Sequence, residues 1–112
     1  MRLAVIGSKD FQDYQKLKSA LDLVSGINSI VSGAAPGTDK MAARYALEHN
    51  FKLIEFPPDF EKHGEDAKHA RDRLIVENSD QLIAFWDGKC EGTKYTLDYA
   101  EKMKITVRIV RT

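Results

Sequence analysis

The strongest constraint on this chain is a pair of unbroken apolar runs, Leu3-Ala4-Val5-Ile6 and Leu82-Ile83-Ala84-Phe85-Trp86, each followed closely by glycine. A strand that alternates apolar with polar residues has one dry face. A strand without alternation must be dry on both, as in a parallel sheet covered by helices on its two sides. Between and after these runs the apolar period becomes helical. Leu17, Ala20, Leu21 and Val24 fall at i, i+3, i+4 and i+7, with Asp10 as a cap before them and Ser25-Gly26 as the stop. Met41, Ala42, Tyr45 and Ala46 line a second helix that stops near His49-Asn50. Ala67, Ala70 and Leu74 mark a third, ending around Asn78-Ser79, and Tyr95, Tyr99 and Met103 share a face of a fourth. Ser29 to Ser32, Phe51 to Phe56 and Ile105 to Val110 supply three further strands. Pro57-Pro58 closes the middle one, because proline cannot continue a central ladder. Residues 59–66, polar and interrupted by Gly64, read as a loop.

Strands alternating with helices predict an α/β fold, with a parallel sheet of about five strands and helices on both faces. Right-handed crossovers lead to the order 3-2-1-4-5. The 112 residues suit one domain, 1–112, and are too few for two. No apolar run approaches a membrane span, and the first residues lack the apolar segment of a signal peptide. The one cysteine, Cys90, has no internal partner. The expectation is a cytoplasmic protein with no membrane contact. Lys plus Arg equals Asp plus Glu at 17 each, so the formal net charge is zero. That speaks against a general nucleic-acid binder, which carries a basic excess.

In a sheet of this order, ligands bind beyond the carboxyl ends of the strands, where the order switches. Three loops converge there: Gly7-Ser8, Ser32 to Asp39, and Asp87 to Thr93. Each carries glycine and a small hydroxyl residue. Gly33 and Gly37 permit positive φ and close approach of a ligand. Thr38 and Asp39 suit the first turn of a helix, whose free N–H groups can hold a phosphate. Neither a Walker Gly-Lys-Ser/Thr nor a GxGxxG is present, and an ordinary strand-to-helix connection would use the same residues. Gly92-Thr93 opens the fourth helix and offers a second set of donors. Arg71 and Arg73 present planar forks suited to phosphate, Arg71 sharing its face with Ala67 and Leu74. Asp39, Asp87 and Glu91 are the nearest carboxylates, able to orient a ribose hydroxyl or to act as acid or base. The same positions suit helix-dipole stabilisation by Asp39 and turn formation by Asp87 before Gly88. His49, His63 and His69 lack zinc spacing, so neither metal nor cofactor is expected, and Trp86 reads as core or rim.

Several segments resemble one family jointly and in order. Gly7-Ser8-Lys9-Asp10-Phe11 resembles a G-S-R-x-F opening, and Ser32-Gly33-Ala34-Ala35-Pro36-Gly37-Thr38-Asp39 an S-G-x-x-x-G-x-D loop. Phe56-Pro57-Pro58-Asp59-Phe60 resembles F-P-A-D-W, Arg71-Asp72 an R-N pair, and the segment from Ala84 to Thr93 A-F-W-D-G-x-S-x-G-T. Together they resemble the YspA-like branch of the SLOG superfamily, the Rossmann-like group with DprA-like and LOG-like members. The likeness runs from residue 1 to about 104. It implies binding or sensing of a nucleotide or nucleotide-derived phosphorylated ligand. The ligand loops would supply Gly7, Ser8, Lys9, Ser32, Gly33, Gly37, Thr38, Asp39, Arg71, Asp87, Gly88, Gly92 and Thr93. Lys9, Asp72 and Cys90 depart from the family's arginine, asparagine and serine. LOG-like phosphoribohydrolases and deoxyribosyltransferase-like enzymes carry a catalytic glutamate three residues after Gly-Thr, where this chain has Thr96. Threonine can form no glycosyl ester and is no carboxylate base. Hydrolysis of nucleoside monophosphates at the N-glycosidic bond would therefore need another carboxylate, Asp39 or Asp87. Single-stranded DNA, by analogy with the DprA-like branch, is the least expected ligand. Family likeness and small size also imply a homo-oligomer.

Overall fold

A computed structural model describes residues 1–112. Its five strands are β1 (Arg2–Gly7), β2 (Ser29–Ser32), β3 (Lys52–Glu55), β4 (Gln81–Trp86) and β5 (Thr106–Arg111). They form one all-parallel sheet in the order β3-β2-β1-β4-β5. The helices are α1 (Tyr14–Asp22), α2 (Thr38–Glu48), α3 (Phe60–His63), α4 (Ala67–Glu77) and α5 (Glu91–Lys102). No helix is long and apolar enough to cross a membrane.

The unbroken apolar runs become the sheet's centre. Along β1, Leu3 and Val5 face one side and Ala4 and Ile6 the other, and all four are buried. The first side packs α1 and α2 through Leu17, Leu21, Ala42, Tyr45 and Ala46, with the Phe11 and Phe85 rings stacked 5.2 Å apart. The second packs α4 and α5 through Ile75, Val76, Leu97 and Ala100. Helices therefore cover both faces, as the absence of alternation requires.

Four local expectations need correction. The cap of α1 is Asp13, whose carboxylate accepts from the Lys16 N–H at 3.1 Å, while Asp10 lies in the preceding turn. Residues 59–66 are not a plain loop. Asp59 accepts from the Lys62 N–H at 3.1 Å and starts α3, and a 3₁₀ turn at Gly64–Asp66 leads into α4. Leu74 is 42% exposed, and α4 turns Ala67, Ala70, Ile75 and Val76 inward instead. In α5 the inner face is Thr93, Thr96, Leu97 and Ala100, with Tyr95 and Tyr99 half-buried and Met103 exposed. Small residues hold those inner positions, so a count of large apolar residues selects the wrong stripe.

Candidate functional site

Beyond the carboxyl ends of the strands lies a cleft of about 720 Å³. Its wall is built from the loops after β1, β2 and β4, the segment after β3, and α4. Gly7, Ser8, Lys9, Asp39, Arg71, Asp87, Gly92 and Thr93 all line it. Ser32, Gly33, Gly37, Thr38 and Gly88 do not line it and stand behind or beside the wall.

Four of these five have an internal occupation, while the Ser32 Oγ, away from the cleft, is buried without a partner as the Ser8 Oγ is. Ser32 and Thr38 are fully buried, and the Thr38 hydroxyl donates to the Ser8 carbonyl at 2.9 Å, tying α2 to the β1 loop. Gly37 has φ +78°, and a Cβ there would stand 2.1 Å from the Lys9 carbonyl oxygen. The positive φ expected at Gly33 falls instead on Ala34, at 60°. Gly33 is needed for space, because a Cβ would meet the Arg71 guanidinium at 2.4 Å. Gly88 borders Arg111 in the same way, at 2.7 Å.

Arg71 lines the cleft, but its fork is already engaged. Nη1 donates to the Gly33 carbonyl at 2.5 Å and Nε to Asp72 at 2.8 Å. Arg73 turns away to the Tyr95 hydroxyl and Asp66. Asp39 accepts from the Ala35 N–H at 3.1 Å. Burial pushes its carboxyl up to about 6, against the opposing pull of the Ala35 N–H and the Arg71 charge. Burial raises Asp72 as well, opposed by Arg71. Asp87 behaves in the opposite way. The N–H groups of Lys89 and Cys90 bond to its carboxylate at 2.7 and 2.8 Å and hold it below the usual range. Burial thus shifts two cleft carboxyls upward, and backbone N–H groups shift a third downward.

The hydroxyl side of the cleft is less committed. Ser8 is 5% exposed, and its Oγ finds no partner in the protein. Buried hydroxyls are nearly always bonded, so an orphan lining a cleft marks a place for a ligand atom. Helix α5 begins beside it with Cys90 at the cap position and no side chain bonding to its first N–H groups. Those donors carry the positive end of the helix dipole. Thr93 makes only a 3.4 Å contact to the Cys90 sulfur. Thr96 donates to the Gly92 carbonyl at 3.1 Å, and Asp98 pairs with Lys94 at 2.8 Å away from the cleft.

The ligand set expected from sequence left out Pro58, Phe60, Lys68 and His69, which also line the cleft, as does Asp72, expected as a departure from the family's asparagine. The signal for Phe60 was available. Asp59 is a helix-capping residue, and the segment after β3 leaves the same end of the sheet as the other three loops. Trp86 sits outside the cleft, donating from Nε1 to the Cys90 carbonyl at 3.0 Å. Among described side chains no group of three His, Cys, Asp or Glu residues is arranged to hold a metal.

The sequence model of the family described as "YspA, cpYpsA-related SLOG family" matches residues 1–63. No curated protein matches the sequence. Among solved structures, the chain is similar to DNA processing protein A from Helicobacter pylori, described for its unique single-stranded DNA binding mode. The TM-score is 0.72 at 22% identity, and the alignment covers 100% of this chain and 66% of that one. At that identity the likeness establishes the Rossmann-like fold.

Proposed function

Because this chain belongs to the YspA, cpYpsA-related SLOG family, we propose that its cleft binds or senses a nucleotide or nucleotide-derived phosphorylated ligand. Family and fold support the coarser role, binding of a nucleotide or nucleic acid. The finer reading rests on one observation: Ser8, whose buried hydroxyl has no partner in the protein, is a lining residue of the cleft onto which the uncapped first turn of α5 opens. A phosphate oxygen accepts from both. Lys9, Lys68 and Lys89 line the same cleft, beside Asp10, Asp39, Asp72 and Asp87, and a volume of about 720 Å³ suits a ligand of nucleotide size.

A thermal-shift screen of nucleoside mono- and diphosphates and ADP-ribose at millimolar concentration tests this. At least one should raise the unfolding midpoint, and silence from all would overturn the proposal. Ser8→Ala gives a sharper test. Removing a buried, unbonded hydroxyl should stabilise the free protein by about 1 kcal/mol, while the lost donor weakens ligand binding by a similar amount. Thr93→Ala should cost about 1 kcal/mol of binding.

A second reading, hydrolysis of an N-glycosidic bond in nucleoside monophosphates, is favoured by Asp39. A carboxyl near 6 exchanges protons close to neutrality. The charged, loop-bound Asp87 is the weaker of the two candidates. Base release followed by chromatography tests the reading, and release that survives Asp39→Asn and Asp87→Asn excludes both. Salt-dependent retention of an oligonucleotide would favour a single-stranded DNA ligand instead.

A further inference from the structure

The cleft has a second end that a phosphate does not explain. Phe60 is the first residue of α3 and lines the cleft, yet it is 57% exposed. It belongs to neither side of the apolar core. Its backbone is fixed nonetheless, because Asp59 caps the short helix. In α4, His69 also lines the cleft, and its ring is stacked on Tyr95 of α5 with centroids 3.9 Å apart and planes at 10°. Arg73 holds the Tyr95 hydroxyl at 2.7 Å, and Asp66 holds Arg73 at 2.9 Å. The cleft therefore has an exposed ring, Phe60, on the side of α3, and a second, His69, held where α4 meets α5. On the side of β1 and β4 it has an orphan hydroxyl and free helix N–H groups.

The sheet order sets how far apart the strands leading to Phe60 and to α5 are. β3, which leads to Phe60, and β4, which leads to Gly92-Thr93, are separated by β2 and β1. Three strand spacings amount to about 14 Å. A bare phosphate or a sugar phosphate cannot reach across such a span, whereas a base joined through a sugar to a phosphate can. Asp39, in the first turn of α2 after β2, also lines the cleft and accepts from the Ala35 N–H.

We propose that Phe60 is the stacking platform for the base of the ligand, so that the cleft takes an intact nucleoside phosphate, base at the α3 end and phosphate at the α5 end. An aromatic platform of this kind accepts any base face, because every base has a π-surface. The assignment rests on the phosphorylated-ligand reading above and deepens it.

Calorimetric titration with the four ribonucleoside 5′-monophosphates and with ribose 5-phosphate decides the matter. At least one nucleoside monophosphate should bind at least tenfold more tightly than ribose 5-phosphate. Phe60→Ala should remove at least fivefold of that advantage and leave ribose 5-phosphate unchanged, while Phe60→Trp should keep the advantage. The side chain is exposed, so both variants fold. Equal affinity for ribose 5-phosphate and every nucleoside monophosphate would overturn the stacking role and leave the phosphate site intact. So would a Phe60→Ala protein that binds its best nucleotide like the wild type. Failure of all five compounds to bind would overturn the phosphate site and the platform together.

Discussion

The loop after β2 and the loop after β4 look alike in sequence, since each offers two glycines, a threonine and an aspartate. In the structure they do opposite things. The space beside Gly33 is filled by the Arg71 guanidinium and that beside Gly37 by the Lys9 carbonyl. The threonine is bonded to Ser8, and the aspartate faces Arg71. After β4, Gly92 has no atom within 4 Å of where a Cβ would stand. Its threonine has only a sulfur for a partner, and its helix has no side-chain cap. Glycine reports that something comes close to the backbone. In the first loop that something is the protein at both glycines; in the second it is Arg111 at Gly88, and only the space beside Gly92 is left open.

The largest test of this contrast is Gly37→Ala. With φ 78° and ψ −123°, Gly37 occupies a region that L side chains avoid, and the new Cβ would press on a backbone carbonyl. Backbone cannot swing aside as a long side chain can. The expected loss is about 3–5 kcal/mol of stability, read as a fall in the denaturant midpoint. A loss below about 1 kcal/mol would show that the β1 and β2 loops are not locked together, and the contrast would fail.

Asp39 gives the next effect, through pH. Its folded value near 6 lies above the ordinary 3.8. Below pH 4 the carboxyl is neutral in both states and its contribution to stability is complete. As pH rises from about 4 to 6 the unfolded chain ionises first, so stability falls, and beyond the folded value it levels off. The ionised form then costs about 3 kcal/mol. Asp39→Asn should therefore stabilise the protein at pH 7 by up to that amount and flatten the slope between pH 4 and 6, apart from the part due to Asp72, which is shifted the same way. An unchanged slope in urea titrations at pH 4, 5, 6 and 7 would mean that Asp39 is well solvated.

How much of this was legible follows the same division. Parallel order and the burial of both sheet faces were readable because Leu3 to Ile6 and Leu82 to Phe85 leave no polar face to expose. The strand order followed from handedness rules that hold across such sheets. The inner stripe of α5 was misread because Thr93 and Thr96 are buried by the helix's position in the fold, which sequence periodicity cannot see. Gly33 was misread for a related reason. Its neighbour, Arg71, is 38 residues away and is brought close only by the packing of α4. The helical start at Phe60 was overlooked because Gly64 interrupts its segment, although Asp59 signals a cap and the break is absorbed by a 3₁₀ turn between two helices. Contacts within one element are written in local pattern, and contacts between loops depend on topology.

The smallest change in stability, and the most informative about the open loop, comes from Gly92→Ala. Residue 92 is the second of α5, exposed, with free space around it. Alanine is the better helix former, so the free protein should gain about 0.5–1 kcal/mol. The same methyl group would stand at the lip of the cleft, beside the first-turn N–H groups on which the phosphate reading depends. Affinity for the best nucleoside monophosphate should fall about fivefold or more, so stability and binding move in opposite directions. At Gly37 the fold itself gives way, because there the glycine serves protein contacts. A Gly92→Ala variant that gains stability and binds like the wild type would place the phosphate elsewhere, and the second loop would then be as ordinary a connection as the first.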